Sequence, residues 1–184
     1  MKKRDIRSQI CKKKHERSAD GSVIINMTVK DDKDFLSVFS SGDTPVISSE
    51  VAEFLETNTQ SILPNEDLTL RIHSSCIDET EKDEYRQAIK EYYTEQYIAN
   101  NRELERNSLI SALLAFIGAV ILALAFLIDN QTLNPLWSEI VDIIAWVFLW
   151  EAVDISAFKN KGLRLKKTRC LSFIAMNVEY KEVK

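Results

Sequence analysis

The sequence predicts a small α+β cytoplasmic domain followed by a transmembrane α-helical hairpin. Three observations carry that reading. The 184-residue chain holds an uncharged run of twenty residues, Leu109–Ile128. A second apolar stretch, Leu136–Phe158, follows it after a short polar linker. Charge is also segregated. Residues 1–17 carry eight Lys or Arg against two acids, residues 18–101 six against seventeen, and the remainder ten against nine. A basic flexible tail (1–21), an acidic α+β domain (22–101), two spans (109–128 and 136–158) and a basic amphipathic cytoplasmic segment (159–184) account for that segregation better than one uniform domain does.

Within the acidic domain, Val23–Val29 is rich in β-branched residues and ends on the turn signal Asp31–Asp34, which reads as a strand. Phe35–Phe39 reads as a second, short strand before the Ser/Gly/Asp/Pro loop at 40–45. Ser48 or Ser49 caps a helix with Glu50 in its first turn and Val51, Phe54 and Leu55 on one face. Leu68–His73 alternates Leu68, Leu70 and Ile72 to one side, the period of a half-buried strand. Asp78 followed by Glu81 has the spacing of a capping box. It opens a helix with Tyr85, Ala88, Ile89 and Tyr92 on one face, then Tyr93 and Tyr97. No Pro or Gly interrupts residues 78–117, so that helix can run into the first span as one rod unless the polar stretch 100–107 breaks it.

As a helix, Leu109–Ile128 spans about 30 Å, the thickness of the hydrocarbon core. The second stretch opens after Pro135, a residue suited to a first helical turn. Its four acids leave hydropathy ambiguous, but the linker 129–134 is short and places it antiparallel beside the first. Arg102 and Arg106 precede the first span, Lys159, Lys161, Arg164, Lys166, Lys167 and Arg169 follow the second, and the linker has no Lys or Arg. That asymmetry predicts both termini in the cytoplasm. Ser111, Ala115, Ala119 and Ala123 are four apart, with Gly118 and Ala112 nearby. Such a row lets helix backbones approach closely, either against the second span or in a dimer.

At 100° per residue, Glu139, Asp142, Trp146, Trp150 and Asp154 fall on one side of the second span, with Glu151 at its margin. Val141, Phe148, Leu149 and Ala152 form the apolar back, which is expected to face lipid. Carboxylates within a bilayer normally face protein or water. Three readings follow for the stripe: acids snorkelling or bonded inside the hairpin with indoles as interfacial anchors, an oligomer seam of carboxyls and indole N–H groups, or an ion or proton path. No basic residue lies within either span, so a countercharge comes from the cytoplasmic flank, another chain or a proton.

The sequence shows no glycine-rich phosphate loop, nucleophile elbow or paired zinc-ligand motif, and only two histidines. His73 with Cys76 and Cys11 with His15 are too few ligands for a metal site. Three scattered cysteines fit a reducing compartment. No catalytic residue, cofactor or metal is therefore expected. The stretch 140–154 (IVDIIAWVFLWEAVD), with LTLRIHSSCIDETEKDEY upstream, resembles a group of uncharacterised small two-span membrane proteins of bacteria. The resemblance covers about half of the chain, implies an inner-membrane location and carries no activity. The expected function is a membrane-anchored, non-enzymatic binding or assembly module that presents the acidic domain to a cytoplasmic protein partner. A small ion- or proton-conducting oligomer is the alternative. Anionic lipid headgroups are expected partners of the basic segments. Nucleic acid is not, because the adjacent domain is acidic.

Overall fold

The computed structural model describes residues 15–31, 35–40, 44–75, 77–129 and 135–182, with side chains given for all of these except 128, 129, 135–138 and 182. The chain divides into two compact units, Met1–Tyr97 with Lys167–Lys184, and Ile98–Lys166.

The first unit is α+β. Strands Val23–Thr28 (β1), Leu68–Ser74 (β2) and Asn177–Glu182 (β3) form a three-stranded sheet in the order β1-β2-β3, and both pairings are parallel. Parallel neighbours require crossover connections. The helix Ser49–Thr59 (α1) supplies the first. Ser48 caps it, its hydroxyl accepting from the Val51 N–H at 3.4 Å. The second crossover begins with the helix Glu79–Asp129 (α2) and ends with the helix Asn160–Ile174 (α4). The capping box at its start is complete: Asp78 Oδ1 accepts from Glu81 N–H at 2.9 Å and Glu81 Oε2 from Asp78 N–H at 2.8 Å. The Glu81 N–H, together with the Thr80 hydroxyl that donates to Asp78 Oδ1 at 2.9 Å, holds the Asp78 carboxyl below its ordinary pKa.

One face of the sheet is the core. Ile25, Met27, Leu70, Ile72 and Val178 are buried there with Leu55, Tyr85, Ile89, Tyr93 and Phe173 of the helices. Phe35 stacks on Tyr85 and Phe173 on Tyr93, each with ring centroids 4.1 Å apart. The opposite face is mainly polar, although Ile24 is buried on it. Arg71 reaches Glu179 at 3.3 Å and Glu16 at 3.5 Å, and His73 lies 3.2 Å from Asn26.

Three expectations change here. The segment 159–184 is not a separate amphipathic stretch: its last part supplies β3, and Cys170, Phe173, Met176 and Val178 lie in the core. Their apolar surface is satisfied by the sheet rather than by a headgroup layer. Residues 15–21, expected in the tail, are tied to the domain through Arg17–Glu66 at 3.1 Å and Ile24 N–H to Glu16 O at 2.8 Å. Phe35–Phe39 is no strand, since Leu36 makes only an isolated bridge to Ile47. The sequences 1–14, 32–34, 41–43 and 130–134, with Cys11, Cys76 and most of both expected turns, lie outside the described residues.

The second unit holds the rest of α2, the helix Pro135–Val153 (α3), a π-helical turn Asp154–Lys159 and the start of α4. The helix α2 is continuous through 100–107, where Asn101 Nδ2 donates to Glu105 at 2.6 Å. It is long and apolar enough to cross a membrane, and its most apolar stretch is only 11% buried. A core helix of a soluble protein would be mostly covered.

Candidate functional site: the outward stripe of α3 and the cleft beside α1

Within the second unit α2 and α3 pack antiparallel. Ser111 Oγ donates to the Ala152 carbonyl at 2.8 Å, and seven residues later Gly118 faces Ala145 and Leu149. A Cβ at Gly118 would lie 3.1 Å from Ala145 O and 3.0 Å from Leu149 Cγ. Ser111, Gly118 and Ala125 are the buried positions of α2 here, each seven apart. Of the expected small-residue row, Ser111 is buried and Ala115 half-buried, whereas Ala119 and Ala123 are exposed. A four-residue step drifts about 40° per turn around a helix, while a seven-residue repeat tracks a partner under slight supercoiling.

On α3 the matching positions are Val141, Ala145, Phe148, Ala152 and Ile155, buried or half-buried at alternating steps of four and three. The next buried residues are Asn160 and Leu163. The step from 155 to 160 is one residue too long for an α-helix. The π-helical turn at Asp154–Lys159 absorbs that extra residue.

This packing reverses the expected orientation of α3. Its apolar back faces α2, not lipid, and the acid and indole stripe points outward. Glu139, Asp142 and Glu151 are exposed, Asp154 is half-buried, and Trp146 and Trp150 are 57% and 66% exposed. The acids then separate into two groups. Lys159 Nζ lies 3.1 Å from Glu151 and 3.5 Å from Asp154. In a regular α-helix an eight-residue separation is about 80° out of line; the extra residue of the π-turn brings Lys159 back above both acids. Asp142, Trp146 and Trp150 have no hydrogen-bond partner among the described residues. The cytoplasmic flank, Lys159 included, is an expected source of countercharge; that Lys159 reaches both acids depends on the π-turn, which has no local signal in DISAFK.

A second feature lies on the first unit. A cleft of about 290 Å³ opens at the end of β1 beside the start of α1, walled by Met27, Val29, Phe35, Val51 and Phe54 with Lys30 and Glu50 also lining it. The loop that supplies Phe35 continues to Val38 and Phe39, 90% and 91% exposed. Two large apolar side chains so fully exposed on a loop suit contact with another surface. Among the described residues no His, Cys, Asp and Glu side chains cluster as metal ligands. Neither feature brings a nucleophile to a base.

No protein-family model, curated protein or solved structure matches this chain.

Proposed function

We propose that the chain is a two-pass membrane protein, both termini cytoplasmic, that holds its acidic α+β unit at the membrane face as a non-enzymatic binding or assembly module. The observation that carries this reading is the parallel pairing of β3 with β2, Leu70 opposite Val178 and Ile72 opposite Tyr180. These strands belong to segments that precede and follow the whole second unit. They fold into one sheet, so both segments occupy one compartment. A chain whose α2 crosses a bilayer must therefore cross it an even number of times. The segment 136–158, packed antiparallel on α2, is the natural return span.

Charge supports the orientation. Arg102, Arg106, Lys159, Lys161, Arg164 and Lys166 are exposed around the ends of the pair that join the first unit, the side that stays cytoplasmic. They are placed to meet anionic headgroups, each contributing about 1 kcal/mol near the surface. The exposed Val38–Phe39 tip and the adjoining cleft are the surface offered to a cytoplasmic protein partner. Ion conduction is not favoured by any feature of the single chain, because two helices enclose no pore.

Reporter fusions after Lys184 and before Met1 should both report cytoplasm, and a tag at Asn130 should be labelled from outside intact cells. A C-terminus found outside would refute the reading. For the module itself, a photo-crosslinker at Phe39 should trap one discrete protein in cells, and Val38→Ser with Phe39→Ser should abolish that product.

A further inference from the structure

We propose that the outward stripe of α3, centred on Asp142, Trp146 and Trp150, is the seam on which a second copy of this chain docks in the same membrane orientation. The inference rests on the two-pass reading and extends it to the membrane-embedded surface. Within the chain, the opposite side of α3 is already used: Ala145, Leu149 and Ala152 face Gly118 and Ser111 of α2. The stripe is thus left for an outside partner or for lipid.

Lipid is a poor neighbour for it. Trp146 lies about 16 Å of helical rise beyond Pro135 and about 20 Å before Lys159, near the middle of a span. Indoles acting as interfacial anchors sit at the ends instead. Asp142 is one turn from Trp146 and has no cation partner among the described residues, Lys159 being engaged by Glu151 and Asp154. An indole N–H and a carboxyl without partners among the described residues call for an acceptor and a donor at their own depth.

A copy of the same helix supplies both. Two chains inserted in the same sense place their α3 helices parallel about a twofold axis along the membrane normal, so equal depths meet. The indole of Trp146 in one copy then lies one turn from the Asp142 carboxyl of the other, within reach of its long side chain. The same arrangement is repeated by symmetry. The stripe contains a donor and an acceptor for each copy, which is the chemical complementarity a self-interface requires.

The test uses the full chain in lipid vesicles, labelled for energy transfer and diluted with lipid to measure dissociation. Wild type should be a dimer. Trp146→Leu with Trp150→Leu, and separately Asp142→Leu, should weaken it by at least about tenfold. Asp142→Asn keeps the hydrogen bonds and should retain the dimer, while Ile144→Ala, exposed but off the stripe, should change nothing. Helicity and outside labelling at Asn130 check each variant for insertion, so a failed topology is distinguished from a failed seam. A correctly inserted wild type that is monomeric, one held by a different membrane protein, or a dimer indifferent to all the stripe variants would overturn the proposal.

Discussion

At the scale of single residues, the folded unit is held by polar groups placed where sequence spacing puts them and by aromatic groups whose partners only the fold reveals. Asp78 and Glu81 cap each other because the Asp-x-x-Glu spacing matches one helical turn. Tyr180 is different. It sits on β3 and its hydroxyl donates to the Lys82 carbonyl of α2 at 2.8 Å. Burial pushes that hydroxyl from the ordinary 10.0 up to about 12, and burial pushes Tyr93 the same way. A raised folded-state pKa means that the folded form holds its proton more tightly. The stabilisation is therefore complete below pH 10 and lost as pH rises through about 12. Unfolding followed by circular dichroism should show the first unit weakening across that window. Tyr180→Phe should flatten part of the loss, at the expense of one hydrogen bond worth about 1 kcal/mol at neutral pH.

At the scale of elements, the helix pair of the second unit depends on a close approach at Gly118 and on the phase correction made by the π-turn. Gly118→Val places methyl groups against the Ala145 carbonyl and Leu149. Leu149 is flexible but the carbonyl is backbone, so the helices must separate, at about 1–3 kcal/mol for overpacking. Deleting Ala157, an exposed residue of the π-turn, has the opposite logic. It removes the extra residue, converts the turn to α-helix and leaves Ile155 and Asn160 four apart, still on the buried side. Deleting Val147 in the regular part of α3 rotates everything beyond it by about 100° and breaks the pattern. Disulfide cross-linking between cysteines placed at Ala115 and Phe148, both half-buried on the facing sides, should survive the Ala157 deletion and fail in Gly118→Val and the Val147 deletion.

At the scale of the molecule, the first unit is discontinuous. Residues 98–166 interrupt the crossover between two neighbouring parallel strands. A fragment ending at residue 101 lacks β3 and the Phe173 side chain that stacks on Tyr93, and losing one such buried aromatic costs about 3–5 kcal/mol. It should be poorly folded. Lys167 Nζ lies 5.0 Å from the Tyr97 ring centroid, so the two ends of the interruption are neighbours. A chain with residues 98–166 replaced by a short Gly/Ser linker should be soluble and melt cooperatively, while the fragment 15–101 should not. If the fragment melts as sharply as the linked chain, β3 is dispensable.

The sequence by itself determined the local elements: β1, α1, β2 and the start of α2, and the apolar run within α2. Each follows from periodicity, capping residues and turn chemistry acting over a few neighbouring positions. It also located the acid and indole stripe, because helical spacing alone puts Asp142, Trp146 and Trp150 on one side of α3. Tertiary structure decided which side of α3 meets α2, since both sides could pack and only the fit of Gly118 and Ser111 against Ala145 and Ala152 discriminates between them. It decided that 177–182 is a strand, because NVEYKE has little apolar pattern and becomes one only when β2 offers its open edge. It also decided the π-turn, whose cause is the phase of a packed seam more than one turn long rather than any residue within it.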